Sequence, residues 1–467
     1  MQYPNGALSS AAPTDLAAHE QNGIRIVTRV LVATDHYPPL IGGAQIQSHV
    51  LARELHNRGH EVVVATVWQP GARDFETLDG VEIHRLRELR SLSLFRPAGV
   101  QHHPPYPDPV TAFALRRLIK SVEPEVVDSY GWISFSVAAA LVGLDSPLVV
   151  TARDYAPSCT IRTILYEGRP CEGPGVFKCV GCAGRHYGRT RGTASALGVL
   201  ASTPFLRRRV SALRSISSYV EEVLRRDFLA GRDRAGRTVT RVVPDMIETE
   251  GATATSAEEA RARLAELPDE PFILFVGALR RVKGVEQLLA AYERLEDPPP
   301  LVLIGTLEPD SPPFPPNIHV LLDVPHDAVM TAWNRCLFGV LPSLWPEPFG
   351  TVVTEGMSRG KAVIGTRPGG HTDLVADGET GILVPAGDVD SLADAMDRLI
   401  RDAELRERMG RAALVRSNRF TPDAVMPQIE TMYASAQAGG VAPSGVHEGA
   451  AAVDAKREGR CGERRKH

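Results

Sequence analysis

The sequence predicts an α/β protein of two Rossmann-like, doubly wound domains that face a central cleft. Three observations predict it. Short apolar runs alternate with segments of helical apolar spacing, the pattern of a parallel sheet covered by helices. The alternation restarts once, near residue 250. Glycine-rich turns recur at the ends of the apolar runs, where open sheets of this kind bind their ligands.

Residues 1–23 are small and polar and read as a disordered tail. "RVLVATDHY" then has the near-continuous apolar run of a strand buried on both faces. In "GGAQIQSHVLARELHNRGH", Ile46, Val50, Leu51 and Leu55 recur at helical spacing, and Gly59 suits the end of that helix. "EVVVATV" completes a strand–helix–strand unit, and "EVVDSYGW" and "SPLVVTARDY" read as further strands of the same sheet. The first domain spans 24–248, with a cysteine-rich insertion at 155–190. The polar stretch "IETEGATATSAEEARA" separates it from a second domain, 249–418, whose strands are "PFILFV", "PLVLIG", "FGVLPS" and "KAVIGT". "FTPDAVMPQIETMYASA" is one more helix, 419–436. The Gly- and Ala-rich, finally basic stretch 437–467 has too few large apolar residues for a core and reads as a second disordered tail.

Composition bounds the function. Hydrophobic residues make up 43% and charged residues 23%, an ordinary globular balance. A net charge of -4 argues against wrapping nucleic acid, and 6% aromatic content argues against a base-stacking surface. No run approaches the roughly 18 apolar residues that span a bilayer. The first residues lack a basic region followed by an apolar one, so a cytoplasmic location is expected.

Four stretches carry chemistry. In "DHYPPLIGGAQ", Gly42 and Gly43 stand between strand and helix, either as a tight turn or as free amides for an anion. In "FVGALRRVKGVEQLL", Arg280, Arg281 and Lys283 precede a helix. Cations there oppose the helix dipole, and a phosphate would resolve the conflict; a solvated basic loop is the alternative. "PSLWPEPFGTVVTEG" places Glu347 before a helix mouth and Glu355 about one turn inside it. The amides of Gly350, Thr351 and Val352 are the unpaired donors between them. In "TRPGGHTDLVADGETGILVP", Gly369 and Gly370 let the backbone approach a ligand, with His371 beside them.

"GALRRVKG", "PSLWPEPFGTVVTEGMSRGKAVIGTRPGG" and "DGETGILVP" resemble the donor domain of retaining glycosyltransferases of the GT-B fold, the large family 4. "YPPLIGGAQIQSHVLARELHNRGHEVVVAT" resembles the start of their first domain, and the likeness covers Arg25 to Ala434. It implies a hexosyltransferase that uses a nucleotide-diphosphate sugar in glycan biosynthesis, with the first domain holding an unidentified acceptor (glycan, lipid or small molecule). It implies that Glu355 binds the ribose hydroxyls of the donor. Glu347 stands near the reacting sugar carbon, and Lys283, with Arg280, meets the diphosphate. Gly350, Thr351 and Val352 offer amides, and Gly43, with Gly42, approaches the phosphates from the other domain. The helix 419–436 packs back across the first domain. No metal or other cofactor is required for transfer when cations neutralise the diphosphate. The chain departs from the family in three places: Ala278 where an arginine is usual, Arg153-Asp154 where a His-Asp pair stands near the acceptor, and Asp245 where an asparagine is familiar. Arg153 and Asp154 are accordingly, with Glu347, the catalytic candidates, standing on the acceptor side, with Arg153 as a binder of an anionic acceptor or phosphate, since arginine does not act as a base. The alternatives are a non-catalytic or regulatory sugar-nucleotide-binding protein and a nucleotide-sugar epimerase of the same fold.

Cys159, Cys171, Cys179 and Cys182 gather in the insertion with one C-x2-C spacing, which suits a structural zinc held by four thiolates; four free thiols is the alternative. The following "RHYGRTRGTASALGVLASTPFLRRRVSALR" has an apolar middle between basic ends. It reads either as a core-facing helix with basic rims or as a peripheral contact with the inner face of a membrane.

Overall fold

The computed structural model describes residues 28–40, 43–92, 102–230, 238–247 and 264–439. The tail 1–23, Gly42, the domain boundary near 249 and most of the stretch 437–467 lie outside them.

Both expected doubly wound domains are present. The first is an eight-stranded sheet ordered Val239–Val242, Val210–Ser215, Leu148–Ala152, Val126–Tyr130, Arg29–Thr34, Glu61–Val67, Val81–Leu86 and Phe75–Leu78. The last two strands pair antiparallel and all others are parallel. Register places Val30 opposite Val62 and Val126, so the apolar runs stack across the centre of the sheet. The second sheet has six parallel strands: His319–Leu322, Leu301–Gly305, Ile273–Val276, Phe338–Leu341, Val363–Arg367 and Gly381–Pro385. In both sheets the strand order reverses beside the first strand of the domain, and the crevice opens there, at the carboxyl ends of the strands.

The helix Pro422–Gln437 lies on the first domain although it follows the second in sequence. Its Val425, Met426, Ile429 and Met432 are buried in one cluster with Val30, Val50 and Leu51. Each such burial stabilises by about 1.5–3 kcal/mol. Tyr433 fixes the register by donating from its hydroxyl to Asp128 Oδ2 at 2.7 Å.

The basic stretch after the cysteines divides. Helices Val176–Tyr187 and Arg189–Arg209 are followed by the strand Val210–Ser215, not by more helix. Ala196, Val199 and Leu206 of the long helix are buried, as in a core-facing helix with charged rims. Among the described residues no helix is long and apolar enough to cross a membrane.

Candidate functional site

Glu347 is where the second domain concentrates its electrostatics. It follows the strand Phe338–Leu341 in a proline-flanked loop, and its side chain is 12% exposed. Lys283 Nζ donates to both carboxylate oxygens at 2.9 and 3.0 Å. Ser343 Oγ and Trp345 Nε1 donate to Oε2 at 2.9 and 2.8 Å. Burial alone would raise the carboxyl pKa. The Lys283 ammonium and its hydrogen bond, with help from Ser343, outweigh burial and hold the group below the usual range. Glu347 is therefore a fixed anion.

The loop is held from behind. Gly370 N donates to Glu347 O at 2.6 Å, and a side chain on Gly370 would meet Pro348 O at 2.4 Å. Gly369 and Gly370 thus admit the protein's own Glu347 loop, whereas their sequence context suggested close approach to a ligand. His371 is buried beneath them, with Nδ1 accepting from Thr366 N at 3.2 Å. Burial lowers its pKa to about 4, so the ring is neutral at pH 7.

The helix Thr351–Ser358 starts after Gly350, at φ +104°, a left-handed conformation that suits glycine. A side chain there would also lie 2.9 Å from the His371 ring. No side chain caps this start, which leaves its first amides as donors. Glu355, one turn on, meets His326 Nε2 at 3.3 Å. The helix Gly43–Asn57 of the first domain begins opposite: a side chain on Gly43 would lie 3.5 Å from Thr351 Oγ1. Two helix mouths from two domains thus meet head to head, with Lys283 and Glu347 beside them. Arg280 is not gathered there. It lies 3.4 Å from Asp310, and Arg281 pairs in solvent with Glu286. Across the crevice the buried Tyr155 hydroxyl donates to Pro346 O at 2.9 Å, so the first domain touches the Glu347 loop, and Ser218 N donates to Asp373 of the short helix His371–Leu374 at 2.6 Å.

The acceptor-side candidates separate. Arg153 does not stand free for an anion. Its side chain is 3% exposed, and its guanidinium bonds Asp245 at 3.1 and 3.2 Å, Ser48 Oγ at 3.0 Å and Gln47 O at 3.4 Å. Asp245 also accepts from Arg214. The two departures at 153 and 245 are therefore one buried ion-pair network, and the expectation that Arg153 binds an acceptor is corrected by that burial. Asp154 does face a cavity, about 220 Å³ in volume, lined by Asp35, His36, Gln45, His102, Tyr130, Asp154 and Arg162. Arg162 spans it, bonding Asp35 at 3.2 Å and Asp154 at 2.7 Å. Asp35 also accepts from Trp132 N and Ile133 N at 3.0 and 2.7 Å. His36 Nε2 and His102 Nδ1 share a hydrogen bond of 2.9 Å. Asp35 and His36 belong to the "DHY" that ends the first strand. That placement was their one signal in the sequence, and nothing local marks His102, Tyr130 or Arg162.

Burial pushes the His36 pKa down to about 4, despite the nearby Asp35 carboxylate. His36 and His371 stay neutral in the fold to about pH 4, while an unfolded chain takes up those protons near pH 6.5. Stability is full above pH 6.5 and declines as pH falls from about 6.5 to about 4, by on the order of 3 kcal/mol for each ring. Thermal unfolding midpoints at pH 7 and pH 5 check this. The midpoint falls at pH 5, and His36→Gln flattens the dependence; an equal midpoint in both buffers contradicts it.

The cysteines occupy one neighbourhood. Cys171 Sγ meets Gly173 O at 3.4 Å, Cys179 Sγ accepts from Gly175 N at 3.4 Å, and Cys182 Sγ faces Leu165 O at 3.9 Å. Burial pushes the Cys159 thiol up to about 11. Among the described residues no group of three or more His, Cys, Asp or Glu side chains is placed to hold a metal ion. No disulfide joins these four, and Cys171, Cys179 and Cys182 each turn the sulfur to a backbone partner.

Comparison with known proteins matches two family models to this chain. Residues 41–235 match the model of Glycosyltransferase Family 4, and residues 256–416 match that of Glycosyl transferases group 1. A D-inositol 3-phosphate glycosyltransferase of Corynebacterium diphtheriae is 30% identical over 39% of this chain and 47% of its own length. One from Acidothermus cellulolyticus is 31% identical over 42% and 48%. The chain spans about half the length of these curated relatives. Sucrose-phosphate synthase from Thermosynechococcus elongatus superposes with a TM-score of 0.66 at 20% identity, over 88% of this chain and 99% of that one. Anabaena HepE in complex with UDP-glucose does so with a TM-score of 0.61 at 17% identity, over 87% and 100%.

Proposed function

The chain has the GT-B fold, and its two domains match glycosyltransferase family models; on that premise we propose that it is a retaining glycosyltransferase that moves a sugar from a nucleotide-diphosphate sugar to a hydroxyl of an acceptor bound in the first domain. The observation that carries this is the meeting of two helix mouths, Gly43 opposite Thr351, with Lys283 and Glu347 at their edge. Aligned amides and a cation make a site for a diphosphate. Transfer breaks the bond between the anomeric carbon and the phosphate oxygen, forms one from that carbon to the acceptor oxygen, and passes the acceptor's hydroxyl proton to the departing diphosphate. Negative charge grows on the leaving diphosphate, where fixed donors stabilise it best in a water-poor crevice. Positive charge grows on the sugar ring, and the ionised Glu347 stands to compensate it. The contacts of Tyr155 and Ser218 with the second domain hold the crevice closed around the donor.

The cavity of Asp35, His36 and Asp154 is the acceptor site in this reading. Its volume is below the roughly 300–1,000 Å³ of pockets for drug-sized ligands, a size for one sugar or cyclitol ring. Carboxylates and neutral imidazoles are suited to accept hydrogen bonds from ring hydroxyls.

A thermal-shift screen with UDP-, GDP- and ADP-sugars, followed by turnover of the donor that stabilises most, tests the proposal. One nucleotide raises the unfolding temperature and is released as its diphosphate when acceptor is present. Binding without turnover across donors and acceptors contradicts it. Glu355 is assigned to the ribose hydroxyls, and a hydrogen bond to a charged group contributes roughly 1.5–3 kcal/mol. Glu355→Ala is therefore expected to weaken nucleotide binding about tenfold or more, read by calorimetric titration. An unchanged dissociation constant removes Glu355 from the donor site.

A further inference from the structure

The two faces of the first sheet are covered by different helices. Leu51 and Met426 sit on one face with Val30 and Val62. On the other, Leu115, Phe135 and Leu206 pack with Leu31, Ala65 and Val127. These belong to the helices Pro109–Val122, Ile133–Ala140 and Arg189–Arg209, which lie side by side. The helix Val176–Tyr187 rests on the last of them, so closely that a side chain on Gly192 would meet Ala183 O at 2.2 Å. The composition of this layer is unlike that of the chain. Its four helices contain no aspartate or glutamate and ten lysines and arginines, while the whole chain has a net charge of -4. The acids next to them in sequence, Asp108, Glu123, Asp145 and Glu172, stand outside the helices, and Asp108 is buried as an N-cap. Arg185 meets Glu167 at 3.5 Å. Among the described residues Arg117, Lys120, Arg189 and Arg191 pair with no carboxylate. Like charges three and four positions apart on a helix repel, and an external anionic surface would relieve them.

The apolar residues of the same helices are a second, independent observation. Phe177 is 93% exposed, Phe113 65% and Leu197 49%. Phe113, Arg117 and Lys120 recur at i, i+4 and i+7, an exposed stripe opposite the buried Leu115, Leu118 and Ile119. Val176 and Phe177 open their helix beside Lys178. Large apolar side chains among lysines and arginines are the surface of a helix that lies in a lipid headgroup layer. Contacts to nucleic acid come instead mainly from polar and charged side chains on phosphate and sugar.

We propose that this outer face of the first domain docks on an anionic lipid bilayer. Phe113, Phe177 and Leu197 enter the headgroup layer, and Arg117, Lys120 and Arg191 lie against its negative charge. The occupant is the bilayer surface as a whole, and no pocket for a single lipid is involved. The inference stands on these helices alone and does not need the transferase reading. Each cation brought to an anionic surface adds about fivefold in affinity, and burial of one large apolar side chain adds about tenfold or more.

The test is co-sedimentation of the full chain with vesicles of phosphatidylcholine alone and of phosphatidylcholine with phosphatidylglycerol. The protein sediments with the mixed vesicles, binds the neutral ones about tenfold or more weakly, and is released from the mixed ones by salt. The double variant Arg117→Glu/Lys120→Glu and the single variant Phe177→Ser each lose about tenfold or more in vesicle affinity. These side chains are on the surface, so unfolding midpoints stay within about 2 °C of the parent and separate lost docking from lost fold. Arg411→Glu, an exposed charge on the second domain, leaves vesicle binding unchanged. Protein that stays in the supernatant with both vesicle types overturns the inference, as does binding that the first-domain variants leave intact. Binding to RNA or to polyglutamate without binding to mixed vesicles also overturns it and gives the face to another class of partner. An inactive protein that docks through Arg117 and Phe177 defeats the transferase reading and keeps this one. An active transferase indifferent to anionic vesicles does the reverse.

Discussion

Glu347→Gln is expected to abolish sugar transfer while nucleotide binding stays within a few-fold of the parent. The substitution preserves shape and removes charge. In the parent, Glu347 accepts from Lys283, Ser343 and Trp345, so its oxygens are fixed before substrate arrives. A glutamine presents an amide N–H₂ to at least one of those donors, and the loop loses the negative charge that faces the developing positive sugar. Loss of one preorganised electrostatic partner costs about 10²–10³ in kcat. In the proposed donor site, binding of the nucleotide rests on Lys283, the helix amides and Glu355, which the substitution leaves in place. Single-turnover rates beside calorimetric nucleotide affinity separate the two. Near-parental turnover would falsify the assignment of Glu347 to the reacting centre.

Asp245→Ala is expected to produce the largest loss of stability. Asp245 is the shared partner of two guanidiniums, Arg153 and Arg214, and all three side chains are at most 4% exposed. Removal of one member of a buried ion pair costs about 3–5 kcal/mol, because the remaining charge is left without its partner. Two charges are left here. At about 2–4 °C per kcal/mol for a domain of this size, the unfolding midpoint falls by roughly 6–20 °C. Asp245→Asn, which keeps an acceptor oxygen, loses less. Differential scanning calorimetry reads both. A midpoint within about 2 °C of the parent for Asp245→Ala would show that Arg153 and Arg214 find other partners, and would reopen a binding role for Arg153.

The sheet was legible wherever strands are buried on both faces. "EVVVATV" is the strand Glu61–Val67 residue for residue. The hairpin Phe75–Leu78 and Val81–Leu86 was not read, because its strands are short, half polar and at the sheet edge. Its Asp79-Gly80 turn, with both residues at positive φ, was the available signal. The strand Val210–Ser215 was absorbed into the preceding helix, because Arg214 looks like a rim residue in sequence. Its charge is in fact buried against Asp245, 31 positions away. The residues proposed for the donor were legible as a group because Gly350, Thr351 and Glu355 lie within one short stretch and Lys283 stands at another loop of the same sheet. The cavity proposed for the acceptor was not, since Asp35, His102, Tyr130 and Arg162 come together only in the fold. Arg153 shows the limit on single positions: its environment is set by residue 245, and neither departure explains itself alone.

The central claim is that Lys283 and Glu347, at two opposed helix mouths, act on the anomeric carbon of a nucleotide sugar. Proton NMR of the purified protein with the stabilising donor and a mixture of neutral and phosphorylated polyols tests it most directly. The predicted result is loss of the donor's α-anomeric signal with growth of a new glycoside signal of the same configuration, absent with Glu347→Gln. An unchanged donor spectrum despite saturable nucleotide binding, or a product of inverted configuration, would contradict it.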